Sequence, residues 1–475
     1  MGELNEPVPP AQAGSGAAQF RRHIGRLGYF ALAFGGIVGS GWVVVLGEWL
    51  GAAGPGGAAL AFAAGGLAMA LICACYAELT ARMPHTGAEF VYVRASLGPI
   101  AGFLVGWFLL LNFIGLAAFE GTALVWLLSA MMPSIEGASL YHVLGQPVRV
   151  GGLVVSMGGI VLLAWLNGRG SGATVIFQKV MTYGFLVFAL ILIGLGLSLG
   201  DLSNARPLFQ TGQDGAPAWS GVFWVFSLGI LFLNGFQGAA QVAEERAHGV
   251  SLRAVAGTMV AAVVAATLFY ILVIFAVAAS TPWRETVAAG LPTAHAFGAL
   301  IPSAPWLADM VIVIAIASLL KTWNVIFIIG ARLVVALARD GFLPPVFAQL
   351  NARSAPSLAV AIFAAVAALA VLLGPGAIMP ILNLCAMCLA VTFVLLLIVL
   401  LKERAAGGAE PEFRVPGNAL PIVIALLLVV TMGSAAAVMP LLRAKGMPIE
   451  WLLMAGWAAV GLVLILWSRG ARRQS

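Results

Sequence analysis

Two charges stand deep inside apolar sequence. Lys321 lies midway through ASLLKTWNVIF, and Glu120 lies in FIGLAAFEGTALVW. A charge at the centre of a bilayer costs at least about 2.5–3.5 kcal/mol, so each must face protein and find a partner. Lys321 and Glu120 are expected to pair or to share a water-filled cavity, where one of them would carry a proton. A second kind of chemistry resides in the backbone. Gly35-Gly36 and Gly39-Ser40-Gly41 sit at the centre of one apolar run, and Asn234-Gly235-Phe236-Gln237-Gly238 interrupt another. Glycine costs a helix interior about 1 kcal/mol relative to alanine, so such clusters invite unwinding. Unwound backbone at membrane depth must be buried in protein or line a cavity. There its free N–H and C=O groups can hold a solute or an ion.

The elements that position these groups follow from composition. Of 475 residues, 62% are hydrophobic and 9% charged, against roughly 25% charged in soluble domains. The chain reads as an all-α integral membrane protein of about twelve spans. They fall roughly at 27–50, 56–80, 98–131, 147–166, 175–199, 219–243, 254–280, 308–338, 356–374, 376–401, 419–441 and 450–467. Residues 1–20 are rich in Pro, Ala and Gly and are expected to be a disordered cytoplasmic tail. The first long apolar run is a full span rather than a cleavable signal. Residues 21–401 are expected to form a ten-span core, and 402–475 two further spans and a tail. The net charge of +6 calls for no nucleic-acid partner. Most Lys and Arg fall in loops on the side of the N-terminus, which predicts cytoplasmic N- and C-termini in a multi-pass protein of the cytoplasmic (inner) membrane, with the lipid bilayer as its surroundings.

The second glycine break follows the first by five spans. Matching breaks in two five-helix halves point to a 5+5 inverted repeat, with broken helices one and six and two added C-terminal helices. The alternative is a pair of close-packing glycine faces. Cys73, Cys75, Cys385 and Cys388 lie in apolar spans, the Cys385-Ala-Met-Cys388 pair has no histidine or carboxylate near it, and the five histidines form no cluster. No metal and no cofactor is expected. Glu244 and Glu245, at the end of span six, are candidates for a cytoplasmic gate with Arg26 or Arg94, and Glu78 and Arg82 end span two.

These stretches resemble the amino acid–polyamine–organocation (APC) superfamily, whose amino acid permeases have the LeuT-type fold. Gly35-Gly36-Ile37-Val38-Gly39-Ser40-Gly41-Trp42 resembles its G-x-I-x-G-S-G-[IV]-F signature. The segment YAELTARMPHTGAEFVYVRASLGPIAGFLVGW, from Tyr76, resembles its second span, following loop and third span, with Ala88 in place of a glycine. Val242-Ala243-Glu244-Glu245 resembles the acidic end of its sixth span, and the block from Ala338 to Pro345 its A-R-D-G-x-L-P-x motif. The likeness covers about residues 20–400. It implies that Gly39, Ser40 and Gly41 bind a substrate carboxylate, and that carbonyls of span six, around Asn234 and Gly235, bind its amine. Phe236 matches an aromatic gate, and Gln237 would read the side chain. The Gly35 and Val38 carbonyls match sodium-liganding positions of sodium-coupled relatives.

Three departures qualify that likeness. Proton-coupled relatives carry a lysine in span five, where this chain has Phe185. Lys321 stands in span eight, where a small residue is usual. No hydroxyl occupies the positions near Val325 and Ile326 that align with the ion ligands, although Thr322 is close. The expected function is therefore a secondary active transporter, not an enzyme. It would move amino acids or related amines by alternating access, as a symporter or antiporter, with proton coupling or exchange favoured over sodium. The alternatives are a membrane-embedded enzyme, which lacks convergent catalytic groups, and a non-transporting amino acid sensor, for which the short tails offer no output domain. No P-loop suggests ATP drive.

Overall fold

A computed structural model of the protein describes residues 22–211, 218–407, 409–443 and 447–472. The tail over 1–20 lies outside the described residues. Among these, eleven helices are long and apolar enough to cross a membrane: Arg26–Val44, Leu46–Arg82, Pro99–Met131, Val150–Gly168, Gly172–Leu199, Trp219–Ala240, Leu252–Ser280, Trp306–Arg339, Pro375–Ala406, Leu420–Val438 and Ile449–Ser468. The expected ninth span is a shorter apolar helix, Ser357–Val371. Gly374, with φ 65°, turns the chain after it. Counting that helix, the spans number twelve. The helix Leu46–Arg82 bends at Gly54, whose φ is 73°. There a Cβ would come within 2.7 Å of the Gln210 nitrogen, so only glycine fits. Residues 46–53 thus continue span one, and 55–82 form span two.

Span packing repeats with an offset of five. Span one packs on five and seven, and span six packs on ten and two. Four packs on three and eight, and nine on eight and three; five meets eight, and ten meets three. Two–seven, three–eight and four–nine pairs complete a two-fold pattern. Spans one and eight lie at the centre, each 78% buried, whereas span twelve is 17% buried and packs outside span ten. The face at which the described chain enters span one is called the N face. It carries a short helix, Ala88–Leu97, between spans two and three. On the opposite face, a hairpin of Ser139–Val143 and Gln146–Arg149 links spans three and four.

Candidate functional site

Span one loses its helix at Val38, with ψ 98°, and regains it at Gly41. Span eight meets the gap with one face, because Ser318, Lys321 and Thr322 stand at i, i+3 and i+4. The Ser318 hydroxyl donates to the Gly39 carbonyl at 2.8 Å, and the Thr322 hydroxyl donates to that of Gly35 at 2.8 Å. Each hydroxyl has one proton, so the Val38 carbonyl is left to the Lys321 ammonium, which donates to it. Lys321 is fully buried. Its nitrogen lies 4.5 Å from the Phe185 ring centre and 5.9 Å from that of Phe34, a cation–π setting. An amide chain braces this region. Asn167 donates to Asn324 at 3.1 Å, Asn324 to Gln178 at 2.8 Å, and Gln178 to the Ala31 carbonyl at 3.1 Å.

The second break runs from Leu233 to Phe236, with Gly235 at φ 132°. It touches the first. A Cβ on Gly235 would lie 2.2 Å from the Gly36 carbonyl carbon, and one on Gly36 would lie 2.7 Å from the Gly235 oxygen. Beside this crossing is a cavity of about 50 Å³, lined by Gly39, Ser40 and Gly41 from one break and Asn234, Gly235 and Gln237 from the other. Glu120 also lines it and accepts from the Ser40 hydroxyl at 3.1 Å. The volume is far below the roughly 300–1,000 Å³ of ligand pockets, so a solute enters only if a wall moves. Leu231, Phe232 and Leu382 form that wall. They also line a second cavity of about 50 Å³, whose lining includes the exposed Glu48. A larger recess of about 600 Å³ lies under the hairpin and contains no residue of either break.

Toward the N face the path is shut. The Tyr29 hydroxyl donates to the Val242 carbonyl at 3.1 Å, and His23 and Ile24 amides donate to the Glu245 carbonyl at 2.9 and 3.0 Å. Glu245 is buried and accepts from Arg332 Nε at 2.8 Å, with a second bond from the same guanidinium. Glu244 accepts from the Thr86 amide at 2.8 Å. Removing one partner of a buried ion pair strands the other charge, at about 3–5 kcal/mol. Arg332→Ala and Glu245→Ala should therefore each lower the thermal midpoint well beyond the Arg332→Ala/Glu245→Ala double variant. Thermal unfolding followed by tryptophan fluorescence would check this, and three equal shifts would contradict it.

The structure brings Gly39, Ser40, Gly41, Asn234, Gly235, Gln237 and Glu120 to one cavity. Phe236 is not among the lining residues. It packs against Tyr76 and Phe393, and Phe232, before the break, faces the cavity instead. Lys321 and Glu120 do not pair directly. The unwound residues intervene, with Lys321 on Val38 and Glu120 on Ser40. The Gly35 carbonyl meets the Thr322 hydroxyl, one turn earlier in span eight than the sequence alignment indicates, and the Val38 carbonyl meets Lys321 rather than a hydroxyl. Neither expected arginine partners the acidic end of span six. Arg26 is exposed, and Arg94 pairs with Asp340 at 2.5 Å. Arg332 reaches Glu245 because the buried face of span eight runs alongside spans one and six. Sequence reading also passed over Ser318, Arg332 and Glu89. Ser318 is recoverable from its helical spacing to Lys321, whereas nothing local marks Glu89 for burial.

The amino acid permease family model matches residues 24–464. The methylthioribose transporter of Bacillus subtilis is 26% identical, with 98% of this chain and 97% of that protein covered. The branched-chain amino acid permease BcaP of Lactococcus lactis is 26% identical over 79% of this chain and 80% of its own. Cationic amino acid transporter 4 of Mus musculus is 28% identical over 86% of this chain and 64% of its own. Two touching helix breaks, a cavity between them and a family match over almost the whole chain make this protein a multi-pass permease belonging to the amino acid permease family of the APC superfamily.

Proposed function

We propose that the protein carries amino acids or related amines across the cytoplasmic membrane by alternating access, driven by protons or by exchange rather than by sodium. The observation that carries this reading is the cavity between the two breaks, with Glu120 held on Ser40. Glu120 supplies a carboxylate for a substrate ammonium, while the backbone of Gly39, Ser40 and Gly41 supplies N–H donors for a carboxylate. The names of the relatives, two of them amino acid carriers, support the substrate class. Against sodium stands Lys321, whose ammonium already holds the Val38 carbonyl. A second cation at that carbonyl would meet like charge at contact distance, so loss of the Lys321 proton must precede any ion there. With the N face cytoplasmic, as the loop charges indicate, the conformation is closed inside, and Phe232 forms the outer partition. Residues 21–401 form the transport core in this reading, and 402–475 pack on its outside.

The test is exchange flux. Proteoliposomes preloaded with unlabelled leucine, arginine, histidine or butylamine should accumulate the labelled compound. Glu120→Gln should cut that flux by about ten- to a hundredfold, the effect of losing a charged hydrogen bond of about 1.5–3 kcal/mol. Absence of flux for every compound would remove the reading.

A further inference from the structure

Glu89 is wholly buried in the short helix Ala88–Leu97, with no cation among its partners in the described residues. One of its oxygens accepts from Gln241 at 2.5 Å, and the other accepts from Gln237 at 2.6 Å. Gln237 in turn accepts from Asn234 at 3.0 Å. Asn234 lines the cavity, is 6% exposed, and its Oδ1 has no partner among the described residues. We propose that this file of amides reports the protonation of Glu89 to the cavity, switching Asn234 between an acceptor and a donor toward a substrate ammonium.

The logic rests on which atoms are able to donate. The Gly87 amide donates to Gln241 at 3.1 Å. A backbone N–H only donates, so Gln241 must give it Oε1 and keep Nε2 for Glu89. A charged Glu89 only accepts, so Gln237 presents Nε2 to it and Oε1 to Asn234. Asn234 must then use Nδ2 on Gln237, which leaves Oδ1 toward the cavity. That is the observed arrangement, and it suits an ammonium. Add a proton to Glu89. Gln241 is fixed as a donor, so the new O–H turns to Gln237 or to the Tyr76 hydroxyl, and the relay runs when it turns to Gln237. Gln237 reverses to accept it and turns Nε2 on Asn234. Asn234 reverses in response, and Nδ2 now faces the cavity, where it opposes an ammonium. Substrate ammonium and the Glu89 proton exclude each other. Binding of one releases the other to water, as proton-for-amine exchange requires.

Burial pushes the Glu89 carboxyl up to about 7, so it titrates where a transmembrane pH difference acts. The surrounding groups leave it to do so. The Tyr76 hydroxyl of span two faces it, and Tyr92 lies on its own helix. The nearby charges are engaged elsewhere: Arg332 with Glu245, Arg94 with Asp340, and Glu244 with the Thr86 amide. At the far end of the helix, Glu403 and Lys402 both bind Ser96.

This inference rests on an amino acid or amine as substrate, and the experiment separates the two. Equilibrium binding of leucine, arginine, histidine and butylamine to the full-length protein in nanodiscs is measured at about pH 8 and about pH 6. With mutual exclusion at a carboxyl titrating near 7, Kd should weaken about tenfold at the lower pH. In Glu89→Gln, the side-chain oxygen must serve the fixed Gln241, which leaves its NH2 toward Gln237. That variant should bind weakly and equally at both pH values. Gln237→Met, which cuts the file, should also remove the pH dependence, and it serves should the first variant not fold. A wild-type slope retained in either variant, or no slope in the wild type, overturns the relay while leaving the substrate reading intact. If none of the probes binds at any pH, the substrate reading fails and the relay falls with it.

Discussion

Gly235→Ala is expected to abolish transport and to lower stability by more than about 4 kcal/mol, the range reserved for strained or overpacked backbone. Two independent effects add. At φ 132° an L side chain is strained whatever the space around it. The new Cβ would also lie 2.2 Å from the Gly36 carbonyl carbon and 2.6 Å from the Ile37 nitrogen, atoms that cannot rotate away. The two breaks would have to separate, and the cavity depends on their contact. Gly184→Ala is the control. Nothing lies within 4 Å of a Cβ there, in the middle of span five. Alanine should gain about 0.5–1 kcal/mol at such a helix position. Thermal unfolding and uptake of both variants in parallel would check the pair. A Gly235→Ala protein as stable and active as Gly184→Ala would show that the crossing of the breaks is not a constraint.

Removal of Lys321 is expected to have the second-largest effect, and on coupling rather than on folding. In Lys321→Ala, acceleration of uptake by a pH gradient should fall by about 5- to 150-fold, the range of a coupling energy of about 1–3 kcal/mol. Stability should change less than with Gly235→Ala, because the variant also relieves the cost of a buried cation. In Lys321→Thr the space beside Val38 would be bordered by the Gly35 and Val38 carbonyls and the hydroxyls of Ser318, Thr322 and the new residue. Those are the oxygen ligands a hard cation takes. Sodium-stimulated uptake should appear in that variant and be absent from the wild type. Full pH-gradient stimulation in Lys321→Ala would exclude the lysine from coupling.

Much of the architecture was legible because bilayer thickness and backbone hydrogen bonding leave so few solutions. The apolar runs marked every span, and the glycine clusters at 35–41 and 234–238 marked both breaks. What the sequence did not reveal was which side chain meets which. Lys321 and Glu120 read as a pair or as sharers of one cavity because both are deep charges, yet the unwound strand offers each a nearer oxygen or hydroxyl. Phe236 read as the gate by motif position. In the fold Phe236 packs against Tyr76 and Phe393, and Phe232, on the other side of the break, is the ring that packs over Gly41. Glu89 was invisible because its burial comes from the docking of a loop helix beneath span six, a long-range event without a local pattern. Phe185 was read as leaving span five without an ammonium. Only the structure reveals that span eight delivers one to the same ring.

The central claim is that solute bound between the breaks is driven by a gradient other than sodium. Uptake of labelled leucine, arginine, histidine and butylamine into proteoliposomes, with a pH gradient or a sodium gradient imposed separately, tests it most directly. The account predicts concentrative movement of at least one of them that responds to the pH gradient or to counter-solute and is indifferent to sodium. Uptake that requires sodium and ignores pH and counter-solute would contradict it.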